Sequence, residues 1–174
     1  VTCKECGVER CLLTRGLDAN GQLRPPREEA PEFYKQSPIG WIPREWDAAP
    51  LARFANLQVG FAFKSEWFTQ EEGVTLLRGE NVGYGAPMWN DERRLPESIA
   101  AQFPDYFLKV GEVVIGMDRT FTQQGTKVSR LSKEDVPALL VQRVGRFLPE
   151  ALEPRLLWHL VQSDGYVRAL TISQ

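Results

Sequence analysis

Two apolar runs of strand length, separated by a polar stretch, limit most strongly what this chain can fold into. They cover residues 113–121 and 138–147. Short apolar runs next to turn-forming residues are typical of strands buried on both faces. Polar side chains cluster toward the end of each run: Asp118, Arg119 and Thr120 in the first, Gln142, Arg143 and Arg146 in the second. We expect these side chains to point outward and to form a surface that reads hydrogen-bond patterns.

The remaining pattern mixes helices and strands. Helices are predicted for residues 8–14, 95–102 and 153–172, the last interrupted at Gly165, and strands for residues 73–78, 106–109, 112–117 and 127–131. Residues 16–38 are rich in glycine, proline and charge, which is typical of a linker or an extended arm. Two large aromatic side chains follow, Trp41 and Trp46, and we expect this arm to pack onto a domain that begins near Trp46.

Charge is distributed unevenly along the chain. The formal net charge is −2, yet residues 113–148 carry six basic and three acidic side chains. A basic sector in an acidic chain is compatible with phosphate binding from one face. Scatter over a solvated surface would explain the same pattern.

Several side chains near the predicted strand ends and loops have the chemistry of base reading. Arginine binds guanine in a bidentate manner, asparagine and glutamine bind adenine, and carboxylates accept from cytosine. The candidate residues for contact with bases or phosphates are Lys64, Arg78, Asn81, Tyr84, Asp118, Arg119, Thr120, Lys127, Arg130, Gln142 and Arg143. The alternative is an internal salt-bridge network that holds loops together, with Asp118 paired to Arg119 or Arg143.

Catalytic and metal-binding patterns are weak by comparison. The sequence contains no phosphate-binding loop and no nucleophile elbow, and His159 is its single histidine. Cys3, Cys6 and Cys11 lack a nearby fourth ligand for a structural zinc site. We therefore predict neither catalytic activity nor a bound metal or cofactor. No apolar run approaches the roughly 20 residues of a membrane span, so we expect a cytoplasmic protein without a membrane partner.

Several stretches taken together resemble a known family. They are the Leu-Leu-Thr-Arg-Gly-Leu-Asp string at residues 12–18, residues 20–24, the Ser-Pro-Ile-Gly-Trp-Ile-Pro string at residues 37–43 with Trp46, and residues 60–65, 77–81, 114–120 and 138–143. From about Leu12 to its end, the chain resembles a target recognition domain of the specificity subunit of type I restriction-modification systems. The first stretches resemble the junction where a spacer helix leads into that domain.

The resemblance implies both a fold and a role. It implies an α+β (mixed α/β) target recognition domain over residues 46–174, with a twisted mixed sheet and flanking helices, preceded by the end of a spacer helix and an extended arm over residues 1–45. It also implies a non-catalytic subunit that binds double-stranded DNA and reads one half of a bipartite target. Its partners in the family are methyltransferase subunits and ATP-dependent restriction subunits.

The sequence also departs from the family pattern, which leaves alternatives open. It holds one recognition domain where the family has two, and the C-terminal spacer helix is missing. We therefore expect a fragment of such a subunit. The alternatives are the recognition domain of a fused restriction-methyltransferase and a truncated remnant that folds but does not assemble. The arm through Trp41 favours the specificity subunit, because it resembles an internal junction.

Overall fold

The computed structural model describes residues 8–118, 120–122 and 125–172 of the chain. Its helices are α1 (Val8–Thr14), α2 (Glu97–Ala100), α3 (Pro154–Leu160) and α4 (Asp164–Ile172). Its strands are β1 (Tyr34–Ser37), β2 (Gly40–Pro43), β3 (Ala55–Val59), β4 (Val74–Leu77), β5 (Arg94–Leu95), β6 (Val113–Gly116), β7 (Phe121–Thr122), β8 (Gly125–Thr126), β9 (Val128–Arg130), β10 (Ala138–Leu140) and β11 (Val144–Pro149). The chain divides into two compact units, one of Val1–Arg53 with Arg155–Gln174 and one of Phe54–Pro154.

In the first unit, the chain turns sharply after α1 and the arm is held by a buried arginine. Gly16 has a φ of +64°, and a Cβ there would lie 2.4 Å from the ring of Trp46. Only glycine fits both the left-handed backbone and this close approach. Arg24 is buried, donates from Nη1 to the carbonyl of Arg15 at 3.1 Å, and forms an ion pair with Glu45. These contacts join the two ends of residues 15–46 to each other within the first unit.

The helical segment near the C-terminus divides at a different place from the one predicted. Helix α4 begins after Ser163, whose hydroxyl accepts a hydrogen bond from the amide of Tyr166 at 3.2 Å. A serine in this position satisfies a free amide of the first turn and starts a new helix. Gly165 lies inside α4, so the prediction that Gly165 interrupts the helix is wrong. In the described part of the chain, no helix is both long enough and apolar enough to cross a membrane.

The second unit contains the two larger sheets. Strands β10, β4 and β5 form one sheet, in which β10 runs parallel to β4 and β5 runs antiparallel to it. Strands β3, β11, β6 and β9 form an antiparallel sheet. Helices together with parallel and antiparallel strands confirm the predicted α+β class.

Strand β10 is buried on both faces, which explains why its sequence is continuously apolar, and β4 is buried on both faces except at Thr75. Successive side chains of a strand point to opposite faces. Leu77 and Leu140 pack with Val114 and Val144 of the antiparallel sheet. On the other face, Leu76 and Leu139 join a second core of aliphatic and aromatic side chains: Phe63, Val74, Leu95, Ala100 and Val141, with Phe61 and Phe103 packed against it.

Two predicted strands differ from the structure. The run at residues 138–147 is divided between β10 and β11, which belong to different sheets, because a turn at Gln142 and Arg143 separates them. Residues 106–109 form no strand. A 3-10 helix over Pro104–Tyr106 replaces its start, since proline fits the first turn of a helix, and a single bridge joins Phe107 to Leu139.

Candidate nucleic-acid interface

Two parallel strands carry their polar continuations to the same edge of the second unit. Leu77 of β4 pairs with Leu140 of β10, and the amide of Val141 donates to the carbonyl of Leu77 at 3.2 Å. The carboxyl ends of parallel strands meet at one edge of a sheet, which is where ligands bind in many α/β proteins. A Cβ at Gly79 would lie 3.8 Å from the carbonyl oxygen of Arg143, so the two strand continuations are neighbours.

Strand β6 brings a third segment to this edge. Gly116 pairs with Val144, and the next residue, Met117, donates its amide to the carbonyl of Arg143 at 2.8 Å. We use the term polar edge for residues 78–84, 117–118, 120–122 and 142–143 together with Lys127.

An ion pair lies at the centre of the polar edge. Nη1 of Arg143 is 3.1 Å from Oδ2 of Asp118, and the two side chains are 70% and 56% exposed. Arg143 has a φ of +66°, an uncommon conformation for a residue other than glycine. Gln142 is exposed beside it, and its side-chain amide forms no hydrogen bond with the part of the chain that the structure describes. The turn therefore presents one paired guanidinium and one uncommitted side-chain amide.

Lys127 and Thr120 hold the segment after β6 in place. The hydroxyl of Thr120 donates to the carbonyl of Gly116 at 2.8 Å, and the amide of Lys127 donates to the carbonyl of Thr120 at 2.8 Å. The ammonium of Lys127 donates to the carbonyl of Gly79 at 2.8 Å. Lys127 thus connects two loops of the polar edge and adds a positive charge that no carboxylate among the described residues neutralises.

Tyr84 connects the loop that follows β4 to a short hairpin. Its hydroxyl shares a hydrogen bond with the hydroxyl of Thr122, in the ribbon of β7 and β8. The amide of Gly85 donates to the carbonyl of Val128 at 2.8 Å, which anchors the same loop to β9. Neither Thr122 nor Met117 was among the residues predicted from sequence. No local pattern distinguishes Thr122, whereas Met117 directly follows an apolar strand, a position that could have indicated it.

Two predicted residues are used inside the loop that follows β4. Asn81 is 1% exposed, and its side chain accepts from the amide of Arg78 at 3.2 Å and donates to the carbonyl of Met88 at 3.1 Å. Nη2 of Arg78 forms ion pairs with Glu80 at 2.7 Å and with Asp91 at 3.0 Å. The side-chain amide of Asn81 is therefore engaged in shaping the loop, and the charge of Arg78 is balanced.

The other predicted residues lie elsewhere. Lys64 is exposed, and its ammonium lies 5.3 Å from the ring centroid of Trp67. Arg130 is exposed on β9, and its amide donates to the carbonyl of Gly85 at 3.0 Å, so it flanks the loop of Tyr84. Arg119, Cys3 and Cys6 lie outside the described residues. Within the described residues, no group of three or more histidine, cysteine or acidic side chains is placed to hold a metal ion.

Arg146 points into the protein, so the expectation that it extends outward from the second apolar run is wrong. It is 7% exposed. Its guanidinium donates to the carbonyls of Phe107 and Asp105, both at 2.9 Å, and to Glu112 at 3.1 Å and the side chain of Gln58. A buried charge needs such partners, because water no longer solvates it. Arg146 therefore holds β3, β11 and the loop before β6 together.

A cavity of about 250 Å³ lies at the other end of β4 and β10, where the two strands begin. Its walls include Thr75, Trp89, Arg94 and Asp135. The indole of Trp89 donates to Asp135 at 2.8 Å, and Arg94 pairs with Glu92 at 2.7 Å. These polar groups satisfy one another, and the cavity is separate from the polar edge.

Most of this chain is similar in sequence to specificity subunits of type I restriction enzymes. No family model matches the chain. The chain is 35% identical over 144 residues to the type I restriction enzyme EcoAI specificity subunit of Escherichia coli, and 34% identical over 167 residues to the type I restriction enzyme MjaVIII specificity subunit of Methanocaldococcus jannaschii. This chain is a homologue of type I restriction-enzyme specificity subunits. The resemblance noted in the sequence is confirmed.

The homology to type I specificity subunits concerns part of those proteins. The alignments include 83% and 95% of this chain but 23% and 36% of the two relatives. Among solved structures, the HsdS subunit of Thermoanaerobacter tengcongensis aligns with a TM-score of 0.47 at 15% identity, over 79% of this chain and 31% of that chain. A chain from a structure of type I R-M system assembly aligns with a TM-score of 0.48 at 13% identity, over 68% of this chain and 29% of that chain.

Proposed function

We propose that this chain binds double-stranded DNA and reads one half of a bipartite target for a type I restriction-modification complex, without catalytic activity of its own. The observation that carries the proposal is the exposed Gln142–Arg143 turn, which lies where β4, β6 and β10 end. A guanidinium can bind guanine O6 and N7, and a glutamine amide can bind adenine N6 and N7. Two such groups on one turn suit neighbouring base edges.

Positive side chains around the turn supply phosphate contacts in this proposal. Lys127 and Arg130 flank the loop of Tyr84. Lys64 and Arg78 follow β3 and β4, and each would contact a phosphate by exchanging carboxylate partners, Glu66 for Lys64 and Glu80 and Asp91 for Arg78. Phosphate contacts set the register and make affinity dependent on salt, while base contacts determine sequence preference. Arg119 remains a predicted contact by its position next to Asp118.

The proposed DNA reading concerns one of the two units of the chain. Every residue of the polar edge belongs to the unit Phe54–Pro154. We therefore place DNA reading in this unit, inside the recognition domain expected for residues 46–174, with residues 1–45 leading into it. Assembly with methyltransferase and ATP-dependent restriction subunits, and a cytoplasmic location, belong to the same proposal; the names of the relatives, which call them subunits of type I restriction enzymes, support assembly with other subunits.

A selection from random duplexes with the purified chain tests the proposal, because a random pool samples every short target sequence. We expect enrichment of one short motif. Fluorescence anisotropy with that duplex should then show that Arg143→Ala and Gln142→Ala each weaken binding by about 5- to 100-fold, as expected for the loss of one bidentate base contact.

Lys109→Ala is the matched control for charge, since Lys109 is exposed near the start of β6, away from the polar edge. It should change affinity by no more than a small, salt-dependent factor. The absence of any enriched motif would contradict the proposal. Equal losses for Lys109→Ala and Arg143→Ala at every salt concentration would also contradict it, since only non-specific charge attraction would then remain.

A further inference from the structure

Met117 is a large apolar side chain exposed in the middle of the polar edge. It is 44% exposed, although all four residues of the preceding strand, Val113–Gly116, are buried. Packing within the protein therefore covers only part of this residue, and more than two fifths of its surface remains in water. An exposed apolar group is informative when it lies among groups that suit a ligand, as it does here.

The backbone fixes Met117 next to Arg143. Gly116 and Val144 are the last paired residues of the β6–β11 ladder, and Met117 and Arg143 occupy the next register position. The amide of Met117 donates to the carbonyl of Arg143 at 2.8 Å. Asp118, the residue after Met117, forms an ion pair with the guanidinium of Arg143 at 3.1 Å. The side chains of Met117 and Arg143 therefore leave the backbone at neighbouring positions, which a backbone hydrogen bond holds together.

We propose that Met117 contacts the 5-methyl group of a pyrimidine in the major groove, next to the base pair that Arg143 reads. The inference rests on the proposed function. Thymine presents a methyl group in the major groove, and apolar side chains recognise it by excluding water. Methionine is unbranched and polarizable, so it adapts to such a small apolar surface. A methyl contact would give the turn apolar specificity beside the hydrogen-bonding specificity of Gln142 and Arg143.

Removal of a single methyl group from the DNA tests the contact. In the selected duplex, each thymine is replaced in turn by uracil, and affinity of the full chain is measured by anisotropy. We expect one replacement to weaken binding by about three- to fivefold, the effect of exposing one buried methyl group. Met117→Ala should bind the thymine and uracil duplexes equally, whereas Met117→Leu should retain most of the discrimination.

If the selected motif contains cytosine at this position, cytosine and 5-methylcytosine replace uracil and thymine as the compared pair. The same methyl chemistry then comes from a modified base. Val110→Ala is the control for loss of an exposed apolar side chain, since Val110 precedes β6 at the end opposite Met117. Val110→Ala should discriminate between the two duplexes as the unaltered chain does.

Two results would overturn the inference while specific binding stands. In the first, no methyl removal weakens binding of the unaltered chain. In the second, Met117→Ala discriminates between the thymine and uracil duplexes as strongly as the unaltered chain; equal weakening with both duplexes would then indicate a wedge between base steps or loss of the turn. If no motif is selected at all, the proposed function fails and this inference fails with it.

Discussion

The guanidinium of Arg143 and the carboxylate of Asp118 face each other across the polar edge, with 3.1 Å between Nη1 and Oδ2. Both side chains are exposed, and an exposed ion pair contributes only about 0–1 kcal/mol to stability. The pair therefore matters mainly for where the guanidinium lies and for what else it can bind. In the proposed function, Asp118 competes with guanine for Arg143 and repels phosphates that approach non-specifically.

Substitution Asp118→Asn should leave stability nearly unchanged and reduce specificity. We expect the free energy of unfolding to change by less than about 1 kcal/mol. Affinity for an unrelated duplex should rise, because one negative charge near the phosphates is removed. The measurement is the ratio of affinities for the selected and the unrelated duplex at several salt concentrations. An unchanged ratio would show that Asp118 has no part in discrimination.

Arg143 has a positive φ, so the effect of losing its side chain on DNA affinity can be separated from the effect on stability. A left-handed conformation costs an L-residue about 1–2 kcal/mol, and glycine avoids this cost while losing more chain entropy on folding. Arg143→Gly should therefore unfold in urea with a free energy within about 1 kcal/mol of the unaltered chain, or higher, while DNA affinity falls.

Arg143→Val is the matched contrast, since a β-branched residue tolerates positive φ poorly. It should be the less stable of the two variants, with a similar loss of DNA affinity. Equal stability of the glycine and valine variants would mean that the turn relaxes away from positive φ.

Substitution of Arg146 should lower stability with little effect on DNA affinity, whereas substitution of Arg143 should lower DNA affinity. It is buried and pairs with Glu112 at 3.1 Å, and removal of one partner of a buried pair costs about 3–5 kcal/mol. We expect Arg146→Met to lower the free energy of unfolding by this amount, measured with urea, with little change in the affinity of the folded fraction. Addition of Glu112→Gln should recover part of the loss, because it removes the unpaired charge. A fully stable Arg146→Met variant would contradict the structure.

The stability of the protein should depend on pH through the carboxylate of Asp135. Burial by itself raises the pKa of Asp135, but hydrogen bonds from the side chain of Ser132, from Trp89 and from the backbone of Ser132 outweigh burial, so this pKa lies below its ordinary value of 3.8. A lowered folded pKa gives stability that is present above the unfolded value and lost as pH falls through the folded value. The stabilisation should therefore be complete at neutral pH.

The test is a comparison of Asp135→Asn with the unaltered chain in urea at pH 7, 5, 4 and 3. Asp135 accepts a hydrogen bond from the amide of Ser132 in the capping box of the 3-10 helix Lys133–Asp135. The variant should be less stable by about 1 kcal/mol at pH 7, the usual contribution of a capping side chain. The difference should shrink below about pH 4, as the carboxylate of the unaltered chain becomes protonated. A difference that is constant over this range would show that the charge of Asp135 contributes nothing.

The local sequence pattern by itself predicts several of the helices and strands. Helix α1 was predicted from residue 8 to its end before Gly16, and strands β4 and β6 were predicted from their apolar runs. The helix predicted from residue 153 begins at Pro154 in the structure. Each of these elements depends on neighbours in sequence, through helix and strand periodicity and through the backbone restrictions of glycine and proline. The resemblance carried by the strings at residues 37–43 and 138–143 indicated the family.

Tertiary structure alone decided which polar side chains meet at the candidate site. Residues 138–147 form one apolar run in sequence, yet a turn at Arg143 sends β10 and β11 into different sheets and turns Arg146 inward. Asn81 is polar and follows a strand, yet its side-chain amide is consumed by its own loop. Burial and hydrogen-bond partners come from segments distant in the chain, such as Glu112 for Arg146. Composition and periodicity describe which side chains can bind DNA, and the packing of two sheets determines which of them are free to do so.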